Sequence, residues 1–584
     1  MTSSIQTRLT EMENRNSLFE TQLRQVEMPI CNAFLDNGAV VPASFHETDT
    51  VLKGPDQART DAAFPKSAQK SGNVVLEAVS GKSRPTAKRI GVLFSGGPAA
   101  GGHNVLVGIQ KILGQDNTLL GIRKGPKGLL EGQLFEIKSD DLAAIENLGG
   151  FDYLGSDRTK IKTPEQFELV KKTVRQFKLD GIIVIGGDDS NTNAAVLAEY
   201  LYDEGCVVVG VPKTIDGDLQ VGELLPISFG FDTATKVYAE LVGNILQDTP
   251  SSRKYWHFIK LMGRSASHVA LEVALQTRPA VTLISEEVDA KQWSLNDIVE
   301  HIAAVVARRA AKGISYGVVL VPEGLIEFIP ECRVLISELN DVMAEYEQDL
   351  AVLSLSQKKT FVETKLNQGS AQLLASLPDS IKDMLLLDRD SHGNLQVSQV
   401  PTESLLVEMI GIKLSEMKNH HARYFGPGKI EFSEAEMAAF TQFKFTTNNH
   451  FFGYEGRCGA PTLFDAAYTL NLGLIAGSLA LAGKTGYMAA LRDLDQGGRP
   501  LAIPLTGLIN VEKRHGVDEM VIKKALVDID SPAFQYFAQR RSDWANDDLF
   551  VSPGPRQLWG PTAAQLPFMV VLNQGYDSLE FSIQ

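Results

Sequence analysis

The sequence predicts a doubly wound α/β protein with two Rossmann-like parallel-sheet domains, an N-terminal extension and a helical insertion. Three observations carry that expectation. Short β-branched runs recur from Ile90 onward, each bounded by a glycine- or proline-bearing turn and followed by a helix-like stretch. The runs are continuously apolar rather than alternating, as strands covered on both faces must be. The chain has 584 residues, 44% hydrophobic and 22% charged, enough for several domains around large cores.

In chain order, residues 1–88 read as an extension with two short apolar patterns, 18–26 and 74–79. The first α/β domain is placed at 89–250 and is expected to be completed by C-terminal segments. Its strands are expected at 90–94, 181–185 and 207–211, each leading through a polar or glycine-rich turn into a helix. The second α/β domain is placed at 251–325 and 444–500, with strands at 258–261, 281–284 and 317–321. Between its parts, 326–443 reads as a helical insertion, because 335–359, 361–377 and 405–418 repeat apolar residues every three or four positions. After Asn448 come glycine turns and a helix over 465–481, and 501–584 is expected to pack back on the α/β domains.

Charge narrows the function. Fifty-six basic against 71 acidic residues leave a net charge of −15, so a nucleic acid or an anionic membrane is not the expected partner. A small anion remains open, since backbone N–H groups and a few cations suffice to hold it. The longest mostly apolar stretch, 470–483, is interrupted by Asn471, Gly473, Gly477 and Ser478 and is too short to span a bilayer. The polar, acid-bearing N-terminus does not read as a signal or transit peptide. Cys31, Cys206, Cys332 and Cys458 lack metal-ligand spacing and suit a reducing compartment, so a cytoplasmic protein is expected.

Chemistry-bearing clusters follow the expected strands, where open parallel sheets bind their ligands. The first, from Ser95 to Asn104, holds Gly96, Gly97, Gly101 and Gly102, which let backbone N–H groups approach phosphate oxygens. It is neither a Walker A loop nor a GxGxxG fingerprint, and the alternative is a plain strand–helix turn. The second is Gly186-Gly187-Asp188-Asp189-Ser190. Asp188 offers the hard oxygen that Mg²⁺ prefers, or else the acids only cap the next helix. The third is Pro212-Lys213-Thr214-Ile215-Asp216-Gly217-Asp218. In an extended segment Asp216 and Asp218 would point the same way, one taking a hydroxyl proton while Lys213 neutralises phosphate. The alternative is a solvated loop. Met262-Gly263-Arg264, Pro322-Glu323-Gly324 and Gly453-Tyr454-Glu455-Gly456-Arg457 add polar anchors suited to a sugar phosphate, though each alone also fits a surface turn. His103, His420, His421 and His450 read as turn, surface or packing residues, not as zinc ligands.

Together these six motifs resemble the phosphofructokinase family, and more closely its long pyrophosphate-dependent branch. They occur in the family's order from residue 91 to about 460. The resemblance implies reversible phosphoryl transfer from pyrophosphate to the 1-hydroxyl of fructose 6-phosphate, with Mg²⁺ as cofactor. It implies that Gly97 contacts the donor, Asp188 holds the metal, and Thr214, Ile215 and Asp216 meet the acceptor with Asp216 as base. Asp218 is then a second acid near the transferred group. Met262, Gly263, Arg264 and Glu323 contact the sugar, and Tyr454, Glu455, Gly456 and Arg457 lie near its phosphate. Lys254 and Tyr255 fall where the family reaches into a neighbour's sugar site, implying a homodimer. Asp189 and Lys213 decide the donor: ATP-dependent relatives carry glycine at both, and a carboxylate at 189 repels a nucleotide's α-phosphate. The rivals are an ATP-dependent 6-phosphofructokinase and a regulatory subunit without catalysis; retention of Asp188, Asp216 and Asp218 argues against the second.

Overall fold

The computed structural model describes residues 18–81, 85–386, 400–419, 432–514, 517–554 and 565–583. The chain forms two compact α/β units. Unit 1 comprises Met1–Ala234, Tyr454–Ala525 and Arg556–Gln584; unit 2 comprises Thr235–Gly453 and Leu526–Pro555. The strands that bear on the site are β1 (Arg89–Ser95), β2 (Gly181–Gly186), β3 (Val207–Pro212), β4 (Trp256–Leu261), β5 (Gly317–Pro322) and β6 (Thr447–Phe452). The helices are α1 (Gly102–Leu113), α2 (Asp188–Tyr200), α3 (Phe231–Ser252) and α4 (Leu463–Leu481).

Unit 1 is built on a ten-stranded sheet in which β3, β2 and β1 are parallel neighbours. Thr118–Ile122 continues the parallel set beyond β1, and Tyr487–Arg492 continues it beyond β3. All six residues of β2 are buried, so a β-branched run with no polar face is the only sequence that fits there. The outer strands turn antiparallel. Arg499–Pro504, Val74–Val79 and Ser44–Val51 extend one edge, so part of the N-terminal extension completes the sheet. The extension is also stitched down by α4. Asn471 accepts from Cys31 N and donates to Pro29 O, both at 2.9 Å, and Ser478 Oγ accepts from Ala43 N at 3.1 Å.

Helix α4 starts at Thr462, whose hydroxyl caps it by accepting from Asp465 N. It is long and apolar enough to cross a membrane by length and composition, but it is almost wholly buried, as the core helix of a folded protein is. The helix begins upstream of the apolar stretch 470–483, which is why the stretch alone reads as too short. Its reason for being apolar all round is close packing on α1. A Cβ on Gly473 would stand 2.3 Å from Val105 O, and one on Gly108 2.2 Å from Leu470 O. No side chain fits between these two backbones.

In unit 2, β6, β4, β5 and the short strand Val281–Thr282 form a parallel sheet, with β4 between β6 and β5. Strand β6 is absent from the sequence-based expectation, because Thr447, Asn448, Asn449 and His450 read as a loop; an edge strand needs no apolar run. The helical stretch is more broken than its periodicity predicts. In place of one helix over 335–359 there are Pro330–Glu345, Glu347–Ala351 and Leu355–Glu363, followed by Gln368–Ser376. Ser354 and Asn367 cause the later breaks by accepting from Gln357 N and Ser370 N as N-caps. Trp256, Phe258, Val319 and Val321 of the sheet share one core with Leu335, Leu405, Ile410 and Phe440 of these helices.

Candidate active site

Parallel pairing of β1, β2 and β3 brings their carboxyl ends side by side, and the first three sequence clusters with them. The turn after β2 is fixed by Asn191, whose side-chain amide donates to Gly186 O at 2.7 Å and Gly187 O at 2.9 Å. Asp188 therefore opens α2 and Asp189 follows on its exposed side. Ser190 Oγ donates to Ser95 Oγ at 2.8 Å, joining the ends of β1 and β2. After β1, Gly96 adopts φ +85°; a Cβ there would lie 3.7 Å from Lys213 Nζ. A Cβ on Gly97 would lie 3.2 Å from Arg457 and 3.7 Å from Arg158. Two glycines, one ammonium and two guanidinium groups thus surround a space suited to a compact polyanion.

The segment after β3 is not extended. Gly217 takes φ +73°, and the turn closes on Thr214, whose hydroxyl accepts from Asp216 N at 3.0 Å and donates to Asp218 Oδ1 at 2.9 Å. The expectation that Asp216 and Asp218 point the same way along a strand is thereby overturned: a hydroxyl-bonded turn outcompetes the extended form. Asp218 is buried and Asp216 half-buried. Lys213 is buried too; desolvation pushes its pKa down to about 8, against Asp216 and Asp218, which favour its charge.

Lys524 was not singled out from the sequence. Its ammonium lies 3.3 Å from Asp218 and 4.0 Å from Asp188. Burial works against that charge, but Asp188, Asp218 and Asp216 outweigh it and raise the pKa. Burial also raises the pKa of Asp188, with Asp189 and Asp218 adding and Lys524 opposing. Arg158 was missed as well. The only local signal for it is the turn Gly155-Ser156-Asp157 before it, where Ser156–Asp157 pairs with the end of β1. Lys524 follows the antiparallel hairpin Ile509–Arg514 and Val517–Ile522 with no glycine to mark it.

Unit 2 joins two further motifs. Glu323 N donates to Leu261 O at 3.0 Å, and Glu323 Oε2 accepts from Gly263 N at 2.9 Å, so Met262-Gly263-Arg264 and Glu323 meet at the carboxyl ends of β4 and β5. A Cβ on Gly324 would fall 2.0 Å from Arg264 O, which is why glycine stands there. Lys254 and Tyr255 stand at the opposite, amino-terminal end of β4, with Lys254 Nζ 4.9 Å above the Tyr255 ring. Tyr255 holds φ +73° and Arg253 φ +54°, a costly conformation for side-chain-bearing residues. The division between units falls after Gly453, so Tyr454, Glu455, Gly456 and Arg457 belong to unit 1.

The histidines are structural. His103 Nδ1 donates to Leu148 O at 2.9 Å while Nε2 faces Tyr153 N, so backbone groups engage both ring nitrogens. His450 packs on His257 with ring nitrogens 2.9 Å apart. His420 and His421 lie outside the described residues.

A phosphofructokinase family model matches residues 89–369. The chain is 43% identical over 543 residues to a pyrophosphate–fructose 6-phosphate 1-phosphotransferase from Porphyromonas gingivalis, covering 89% of this chain and 94% of that one. The chain belongs to the phosphofructokinase family. A pyrophosphate–fructose 6-phosphate 1-phosphotransferase from Treponema pallidum is 47% identical over 488 residues, covering 82% of each chain. The beta subunit of the Solanum tuberosum pyrophosphate–fructose 6-phosphate 1-phosphotransferase is 44% identical over 498 residues, covering 84% of this chain and 83% of that one.

Phosphofructokinase chemistry calls for a divalent cation, and the donor set fits one. Asp188 offers a hard oxygen at the start of α2, and Asp188 and Asp218 already share a positive partner in Lys524. Among the described residues no group of three or more Asp, Glu, His or Cys is placed to hold a metal. One or two carboxylates completed by substrate phosphate is the arrangement Mg²⁺ adopts in phosphoryl-transfer sites.

Proposed function

We infer that this phosphofructokinase transfers a phosphoryl group reversibly from pyrophosphate to the 1-hydroxyl of fructose 6-phosphate, yielding fructose 1,6-bisphosphate and phosphate. The observation that carries the donor is the buried Lys213 ammonium beside Gly96, next to a turn that carries Asp189. A fixed cation at the glycine loop attracts a short, highly charged donor. A carboxylate on the following helix turn repels the longer nucleotide. The test is a donor assay of purified protein, pyrophosphate against ATP at saturating fructose 6-phosphate and Mg²⁺.

In the proposed mechanism Lys213 beside Gly96, with Arg158 and Arg457 beside Gly97, neutralises the donor. Mg²⁺ held at Asp188 supplies further charge neutralisation when bound. Asp216 takes the proton of the attacking hydroxyl, and Asp218, tied to Thr214 and Lys524, keeps the turn in place. Within unit 2, Met262, Gly263, Arg264 and Glu323 are read as sugar contacts. Tyr454 to Arg457 lie near the sugar phosphate, and the place of Arg457 beside Gly97 also puts its guanidinium in reach of the donor loop. Positioning and charge stabilisation supply most of the rate in such a transfer. The enzyme is proposed to be a cytoplasmic homodimer, with Lys254 and Tyr255 reaching the neighbour's sugar site.

Two expected results follow from the electrostatics. Lys213 binds the donor as a cation, and its pKa is near 8. kcat/KM for pyrophosphate should therefore hold at pH 7 and fall as pH rises through 8, toward about tenfold per unit, because that ratio reports free-enzyme ionisations. Pyrophosphate kinetics from pH 6.5 to 9.5 check this, and Lys213→Met should abolish the alkaline limb. For Lys524→Met, kcat/KM for pyrophosphate should fall about 10- to 100-fold, the scale of a charge-assisted contact. KM for fructose 6-phosphate should move less than about threefold. Unaltered donor kinetics would show that Lys524 only balances Asp188 and Asp218.

A further inference from the structure

We propose that Asp465, at the start of α4, is a positioning residue that holds the Lys213–Asp218 turn through the main chain of Phe229 and Gly230. The inference rests on the reading of Asp216 as base. Asp465 is fully buried and accepts three bonds within unit 1: from Gly230 N at 3.0 Å, Thr233 N at 2.8 Å and Thr233 Oγ1 at 2.6 Å. Gly230 is thereby pinned just before α3 begins. Its predecessor Phe229 lies alongside the end of β3 as a one-residue parallel partner of Lys213. Phe229 N donates to Pro212 O at 3.4 Å, and Phe229 O accepts from Thr214 N at 3.2 Å. Thr214 Oγ1 in turn accepts from Asp216 N. An unbroken series of bonds therefore runs from Asp465 through Gly230, Phe229 and Thr214 to the backbone of Asp216.

The same rung is clamped from the donor side. Gly230 has φ +92°, and a Cβ on it would stand 2.6 Å from Ala99 Cβ and 3.5 Å from Ile215. A Cβ on Gly101, which precedes α1, would stand 2.8 Å from Thr469 and 3.4 Å from Asp465 O. The first turn of α4 thus touches the glycine loop and the rung that carries the base, and sets one against the other.

A carboxylate here is costly. Burial drives the Asp465 pKa up to about 7, the neighbouring Asp232 charge adds to it, and the Thr233 and Gly230 donors oppose. Asp232 itself accepts from Thr462 Oγ1 at 2.6 Å, so both acids are built into the same pair of helix starts. A neutral packing residue would close the helices together at less cost; what only an acceptor with two oxygens supplies is simultaneous hold of Gly230 N and Thr233.

The test compares Asp465→Asn with Thr233→Val in the full-length protein. Asn keeps the shape but has one acceptor oxygen; the two Thr233 donors hold it and turn the amide nitrogen toward Gly230 N, freeing the rung. Val removes only the Thr233 hydroxyl and leaves the Gly230 bond. Asp465→Asn should lower kcat about 10- to 100-fold, the scale of a misplaced catalytic group, with both KM values within about threefold of wild type. Thr233→Val should lower Tm but keep kcat within about twofold. Should Asp465→Asn fail to fold, Gly230→Ala displaces the same rung against Ala99 and should give the same kcat loss at unchanged KM. Wild-type kcat in a folded Asp465→Asn or Gly230→Ala enzyme, or an equal kcat loss in Thr233→Val, overturns the assignment. A wild type without pyrophosphate-dependent activity instead removes the proposed function beneath it.

Discussion

Asp216→Asn should lower kcat by about two to four orders of magnitude, the range of general-base catalysis, while both KM values change far less. The geometry supports so large and so clean an effect. Asp216 projects from a turn whose shape is set by its own backbone N–H on Thr214 and by Thr214 on Asp218, so the amide replacement leaves those bonds intact. It is half-buried where Asp218 is buried, and so is the carboxylate of the two that a substrate hydroxyl can meet. The measurement is steady-state kinetics in both directions, since a base for the forward transfer is the acid for the reverse. A variant retaining more than about a tenth of wild-type kcat would transfer the role to another group. Asp218→Asn serves as the contrast: it loses the Lys524 ion pair and should lower Tm as well as kcat.

The second large effect is a change of donor. Asp189→Gly should bring ATP use from undetectable to measurable, and adding Lys213→Gly should carry it further while pyrophosphate use collapses. The two residues follow neighbouring parallel strands, so they act on one ligand and their effects should not add. A shift of three or four orders in the donor ratio requires only about 4 to 6 kcal/mol of differential binding, within reach of one removed repulsion and one removed cation. Lys213 is buried with Asp216 and Asp218 acting on it, so its loss also deprives two acids of a cation and part of the pyrophosphate defect will lie in kcat. The check is kcat/KM for both donors across the wild type, two single variants and the double variant. A wild type that prefers ATP, or a double variant with an unaltered ratio, sinks the pyrophosphate reading.

Much of this was legible in the sequence because it depends on local rules. A short β-branched run such as Gly181–Gly186 bounded by glycine turns reads as a strand covered on both faces, and the glycines after it mark the turn into the next helix. Parallel pairing of three such strands then brings Gly96, Asp188 and Lys213 together without further information. Strand β6 was hidden because an edge strand of Thr, Asn and His obeys no apolar pattern; its place comes from pairing with β4. The helices after residue 330 were blurred because Ser354 and Asn367 cap new starts inside a continuous periodicity.

The sequence by itself determined the fold class and which glycine-rich and acidic clusters follow the strands, since hydrophobic period and glycine placement are properties of neighbours along the chain. The tertiary structure decided the rest. Lys524 reaches Asp188 and Asp218 from more than 300 residues away, Arg158 and Arg457 converge on Gly97 from different segments of unit 1, and Asp465 holds the rung behind Asp216 across 235 residues. The same structure bent the Asp216–Asp218 segment into a turn. The physical reason is that buried charge must find its partner wherever folding brings one, and that choice is made by packing, not by spacing along the chain.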